Sequence, residues 1–283
     1  MGNEKMDSMK SRLLTAAIGI PAAVIVLILG EHFHWIMYTV VSLLCVAMVY
    51  ELLSARKLHK DLRVLIPCAL FAAAQPALVW LRLGLLPTYV FAVLMFIVML
   101  AFHESVDYLS VFFALFGTVM IVFGMTSILI LPSAMGGYFS MFFVMCLGIP
   151  WCADGGAYFA GVYLGRHKLC PKISPKKTVE GFVGGIIAGM ISTVIVGLVF
   201  GGIIFRKIDF NYPILLGLGA AITAVSVVGD LSFSVIKRAS DIKDYGSIFP
   251  GHGGVLDRFD SVIFSAPIVY FVASLLPLFT IKV

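Results

Sequence analysis

Nine predominantly apolar stretches of 17 or more residues recur along this chain, at 13–29, 34–53, 64–81, 85–102, 108–131, 138–164, 181–204, 212–233 and 261–281. At ~1.5 Å of rise per helical residue, each is long enough to cross ~30 Å of hydrocarbon. A water-soluble fold has no place for so much apolar surface. Strands of a membrane barrel alternate over about ten residues, whereas these runs are apolar on every face. The sequence therefore predicts an all-α polytopic membrane protein of about nine transmembrane helices. It reads as a single membrane domain over 1–283, with one set of helices to residue 131 and a second set, richer in polar loops, over 138–283.

Two runs need comment. The first follows a short basic tail (Lys5, Lys10, Arg12), but no small-residue cleavage pattern precedes Glu31 and further spans follow, so it is read as a membrane helix rather than a removed leader. The sixth contains Pro150 and Asp154, which suit a broken helix or two shorter pieces where protein or water satisfies the freed backbone.

Only 12% of the residues are charged, so their placement is informative. With a cytoplasmic N-terminus, all Lys and Arg except Arg82, Arg206, Lys207 and Lys282 fall in the tail or in the segments near 54–63, 165–180 and 234–260. That asymmetry places both long polar loops on the cytoplasmic side of the cell membrane. The net charge of +5 serves orientation and contact with the lipid bilayer in this reading, with no nucleic acid partner. The five cysteines are scattered without a CxxC pair and read as free thiols.

Two clusters could do chemistry. In the first, Asp154 lies on an apolar helix whose Ala157, Gly161 and Gly165 form a small-residue face. An acid at membrane depth faces a cavity or a partner charge more often than lipid. Ser174, Lys176, Lys177 and Thr178 follow, a mixture of cations and hydroxyls around Pro175 that suits a phosphate group better than topology alone requires. In the second, Asp230, Ser234 and Lys237 are spaced to share one helical face, and Arg238 is adjacent. Lys237 and Arg238 are both expected to face solvent or substrate. Lys243 and the turn at His252, Gly253 and Gly254 come next, and then a helix start carrying Asp257, Arg258 and Asp260. A glycine-rich turn entering a helix is expected to leave backbone N–H groups free for phosphate. The aspartates supply oxygen donors of the kind Mg²⁺ takes. His252 reads equally well as a ligand or as an ordinary loop histidine. From the residues alone the chain is a membrane enzyme or a transporter for a phosphate-bearing substrate.

From Ser234 to Asp260 the chain closely resembles the signature of the phosphatidate cytidylyltransferases, or CDP-diacylglycerol synthases. Ser234, Lys237, Arg238, Lys243, Asp244, Gly246, His252, Gly253, Gly254, Asp257, Arg258 and Asp260 all fall on defined positions. The upstream run Ser174, Pro175, Lys177, Thr178, Glu180, Gly181 is similar to the same family, with Gly165-Arg166 where the family pattern has Gly-Lys. The resemblance implies transfer of cytidylyl from CTP to phosphatidate, giving CDP-diacylglycerol and pyrophosphate. It further implies Mg²⁺ on Asp230 and Asp257, with a monovalent cation and a homodimer among the arrangements it allows. Asp154 and Asp260 would be supporting acids, and Lys237, Arg238, Lys176 and Lys177 would contact phosphates. Ser174, Thr178, Ser234, Lys243, His252, Gly253, Gly254 and Arg258 would line the substrate site. Two other readings stay open at this point: a nucleotidyltransferase for an ether or isoprenoid lipid phosphate, and a transporter of phosphorylated solutes.

The topology makes the first prediction. In a background without native cysteines, Ser240→Cys should resist an impermeant thiol reagent applied to intact cells and react after permeabilisation. Strong labelling from outside would reverse the assigned orientation.

Overall fold

The computed structural model describes residues 17, 19, 21–135, 138–248 and 253–281. Among them are nine helices: α1 (Pro21–His32), α2 (His34–Ala55), α3 (Leu62–Trp80), α4 (Leu86–Ala101), α5 (Tyr108–Met135), α6 (Phe139–Leu164), α7 (Val179–Gly197), α8 (Tyr212–Ala239) and α9 (Leu256–Leu275). A π-helical stretch, Leu198–Ile204, prolongs α7. Seven of these segments are long and apolar enough to cross a membrane, while α1 and α4 are shorter apolar helices. The fold is that of an all-α polytopic membrane protein, with nine helices among the described residues, seven of them long spans; the start of the first expected run, 13–29, lies outside those residues.

Polar residues at the helix ends explain several boundaries. Asp61 accepts from the Arg63 N–H at the start of α3, Thr178 from the Gly181 N–H at the start of α7, and Asn211 from the Ile214 N–H at the start of α8. Proline in the first turn of α4 and α8 costs no intrahelical bond. The sixth apolar run is neither broken nor split: α6 is one helix that carries Pro150 inside it. The last helix starts at Leu256, five residues before the apolar run, and stops at Leu275.

Two small antiparallel pairs stand outside the helical pattern. Strands β1 (Lys168–Cys170) and β2 (Ser174–Thr178) form a hairpin between α6 and α7. Strands β3 (Ile208–Phe210) and β4 (Phe279–Ile281) tie the α7–α8 connection to the end of the chain, at the opposite end of α7.

Packing runs α4–α3–α2–α5–α9–α8–α7–α6, with α6 returning to α9. Along the second half the seams are made of residues too small to hold the backbones apart. A Cβ on Gly181 would stand 2.8 Å from the Ala157 carbonyl oxygen, one on Gly185 3.1 Å from the Ala157 Cβ, and one on Gly219 2.7 Å from the Gly189 carbonyl oxygen. A Cβ on Gly229 would stand 2.7 Å from the Asp260 carbonyl oxygen. These approaches bring the polar positions of α6, α8 and α9 to one end of the bundle.

Gly155 and Gly156 test this packing because they are neighbours in sequence with opposite surroundings. A Cβ on Gly156 would collide with Ala188 and approach the Gly184 carbonyl oxygen to 3.3 Å, while one on Gly155 would meet nothing within 4 Å. Gly156→Ala should lower stability by ~1–3 kcal/mol. Gly155→Ala should be neutral or add up to ~1 kcal/mol through the unfolded chain. Thermal unfolding in detergent measures both, and equal shifts would refute the close seam.

Candidate active site

The signature loop between α8 and α9 is held by carboxylates. Asp257, in the first turn of α9, takes an ion pair from the Lys237 ammonium at 2.8 Å through Oδ1. Its Oδ2 accepts from the Tyr245 N–H at 2.7 Å and the Gly254 N–H at 3.0 Å. The Lys237 Nζ also lies 5.5 Å from the centre of the Tyr245 ring. Tyr245 donates its hydroxyl to the Phe233 carbonyl at 3.0 Å, closing the loop back on α8. Burial, with Asp257 and Asp260 adding to it, pushes the Tyr245 phenol above its ordinary range, so it stays a neutral donor. Gly253 sits at φ +83, a conformation that favours glycine.

Two expectations are overturned here. Lys237 is not in solvent: its side chain is 11% exposed and that of Asp257 5%. The sequence spacing gave the helical face of Lys237 but could not show that the facing partner would be a buried aspartate. The amides at the start of α9 are also not free for phosphate. Glu51 of α2 accepts from the Val255 N–H at 3.0 Å through Oε1 and from the Leu256 N–H at 2.7 Å through Oε2. Its buried carboxylate also fills the places a Cβ on Gly246 or Gly254 would need. Gly254 is therefore there to admit Glu51, and its own N–H is taken by Asp257. Sequence reasoning passed over Glu51. The signal was available, because a lone acid on an apolar span is as notable as Asp154.

Deeper along the same end, Lys177 of β2 forms an ion pair with Asp230 of α8. Asp154 of α6 feels both Lys177 and Asp230 electrostatically and is exposed. Asp260, one turn after Asp257, is buried, accepts from the Ser261 N–H at 2.7 Å and hydroxyl at 3.1 Å, and feels Asp230 and Lys237. Each lysine thus serves two aspartates: Lys177 serves Asp230 and Asp154, and Lys237 serves Asp257 and Asp260. The two groups meet where Gly229 lets α8 approach Asp260.

The other expected residues distribute around this cluster. Thr178 is buried as the N-cap of α7, against Gly161 and Gly165. Glu180 accepts from the Arg166 and His167 N–H groups at 3.0 and 3.2 Å and pairs with the His167 ring at 2.6 Å, bracing the base of the hairpin. Lys176 is exposed on that hairpin, with Ser174 half-buried. Ser234 is half-buried on α8, and Lys243 is exposed in the loop. Arg238 is exposed and donates to the Ile242 carbonyl at 3.4 Å. Arg258 is exposed, and its carbonyl accepts from the Trp151 indole at 3.4 Å. His252 lies outside the described residues.

Among the described residues no three His, Cys, Asp or Glu side chains group to hold a metal ion. The donor chemistry nevertheless fits Mg²⁺, which takes one or two carboxylates and completes its shell with water and substrate phosphate. Four aspartates share two ammonium groups, and Asp154 and Asp260 form no ion pair among the described residues.

Comparison with known proteins identifies the family. Over 233 residues, covering 78% of this chain and 93% of the relative, the sequence is 33% identical to a phosphatidate cytidylyltransferase of Rickettsia bellii. A phosphatidate cytidylyltransferase of Bacillus subtilis is 37% identical over 135 residues, 47% of each chain. One of Haemophilus influenzae is 38% identical over 141 residues, 46% of this chain and 44% of the relative. These two matches span about half of each relative's length. Residues 10–276 match the cytidylyltransferase family as a whole, and the chain belongs to that family.

Proposed function

We propose that the chain transfers cytidylyl from CTP to phosphatidate, giving CDP-diacylglycerol and pyrophosphate, at a site that faces the cytoplasm. The observation that carries this reading is the meeting of Asp154, Lys177, Asp230, Asp260, Lys237 and Asp257 at one end of the bundle, although they come from α6, β2, α8 and α9. The relatives named as phosphatidate cytidylyltransferases supply the substrate class.

A phosphatidate oxygen attacks the α-phosphorus of CTP, a new P–O bond forms, and the bond to the pyrophosphate leaving group breaks. The attacking phosphate is anionic near neutral pH, so no strong general base is required. The protein must bring two anions together and stabilise charge on the leaving group. Lys177 can pass from Asp230 to a phosphate. The exposed Lys176, Arg238 and Lys243 present further donors at the same end. Lys237 acts differently: paired with Asp257 and packed on Tyr245, it keeps the signature loop in shape. Asp230 and Asp257 are the residues assigned to hold Mg²⁺. When bound there, the ion would neutralise charge on the triphosphate and its leaving group. Asp154 lies ten residues before the end of α6, ~15 Å along the helix, where its carboxylate and that of Asp230 share the Lys177 ammonium.

Purified protein given CTP, phosphatidate and Mg²⁺ should form CDP-diacylglycerol, read by mass spectrometry. Turnover of an isoprenyl phosphate with phosphatidate left untouched would overturn the substrate assignment. Asp230→Asn should lower kcat/KM more than tenfold at saturating Mg²⁺, over ~1.4 kcal/mol, with a nearly unchanged unfolding midpoint, because its carboxyl is partly exposed. Asp257→Asn should lower activity as far and also cost ~3–5 kcal/mol of stability, because it leaves Lys237 buried without its partner. The double variant should lose little more activity than either single one if both serve one ion. Fully additive losses would separate their roles.

A further inference from the structure

Glu51 reaches the catalytic end from the N-terminal half of the chain. It lies one turn from the end of α2, in a segment that carries none of the signature residues. Its two oxygens each accept one N–H from consecutive residues at the opening of α9, across more than 200 positions of sequence. Two glycines of the signature, Gly246 and Gly254, are shaped around it. Its carboxylate also lies within electrostatic reach of Asp257. Simple helix capping would account for the hydrogen bonds. It would not account for two glycines of the loop packed against the carboxylate, nor for a second acid held beside an aspartate assigned to the ion.

We propose that Glu51 is a positioning residue of the transfer reaction. Its bidentate grip fixes the start of α9, and hence the depth and rotation of Asp257 and Asp260 relative to Asp230 on α8. The helix N-terminus supplies the positive end that a carboxylate there requires. A displacement of ~1 Å at reacting groups can cost about a hundredfold in rate, so a grip on two amides is enough to govern turnover without touching substrate. The inference rests on the cytidylyl-transfer reading for its activity arm and on the contact alone for its structural arm.

The test compares wild type, Glu51→Gln and Gly254→Ala. Glu51→Gln keeps shape but offers one acceptor where two are needed. Gly254→Ala pushes on the same carboxylate from the other side. Hydrogen exchange of the peptide over 253–260 should quicken at least tenfold in both variants, while peptides from α3 and α7 stay as in wild type. In the same preparations kcat should fall tenfold or more, with KM for CTP changing less than threefold. Unchanged exchange at 253–260 would overturn the grip, and loosened exchange with wild-type kcat would overturn the positioning role. Should Glu51→Gln not fold, Gly254→Ala reads the same contact alone. If the wild-type protein makes no CDP-lipid, the proposed reaction fails, while the exchange arm still decides whether Glu51 holds α9.

Discussion

A carboxylate buried in an apolar bundle must find donors, and a helix N-terminus has N–H groups with no intrahelical acceptor. This chain joins the two needs twice. Glu51 closes on the Val255 and Leu256 amides of α9, and Glu31 closes on the Tyr138 N–H at 2.8 Å, and on the Ser140 N–H and hydroxyl at 2.9 and 2.8 Å, at the start of α6. Glu31 closes α1 and Glu51 lies near the end of α2, and the stretch of α2 from His34 to Glu51 rises ~26 Å, close to one hydrocarbon thickness. The α1–α2 segment therefore sets the heights of the helices bearing Asp154 on one side and Asp257 on the other. The small-residue seams then decide how closely α6 to α9 approach. Height and closeness together define where the aspartates meet.

This division explains what sequence could and could not reveal. Hydropathy located the spans because the bilayer imposes a length and a polarity on any segment that crosses it. It misplaced the start of α9 because Leu256 to Asp260 is polar enough to resemble loop, yet its helix is nucleated by the Glu51 and Asp257 contacts. The face shared by Ala157, Gly161 and Gly165 was legible, but not that Gly181 and Gly185 would be its complement, since small residues announce close packing without naming the partner. The strand pairs were invisible: three to five residues carry too little periodicity, and β4 depends on a strand some 70 positions earlier.

At the candidate site, residue types were legible and partnerships were not. Asp154, Asp230, Asp257 and Asp260 drew notice because acids are costly near hydrocarbon, and they do gather at one end. Lys237 was expected in solvent because its neighbours in sequence are polar, whereas burial is set by Tyr245 and Asp257 across the loop. The glycine turn resembled a phosphate cradle for sound physical reasons, but the Gly254, Val255 and Leu256 amides at its α9 end are taken by the protein's own carboxylates. Glu51 escaped notice because its partners lie on another helix and nothing adjacent in sequence marks it.

The long sequence separation of the Glu51 contact has a consequence for how the chain is made. Synthesis proceeds at ~5–20 residues per second, so roughly 10–40 s pass between the emergence of Glu51 and that of Val255 and Leu256. During that interval α2 is already in or near the bilayer with a carboxylate whose eventual donors do not exist. Until they appear the acid must keep water, a lipid headgroup or a proton as company, and α2 cannot settle at its final height. Insertion of α9 releases that temporary arrangement, so a helix made late fixes the position of one made much earlier. A ribosome that stops short of α9 leaves behind a chain marked by an unanswered charge at the membrane surface, the kind of defect by which a cell can tell an unfinished membrane protein from a finished one.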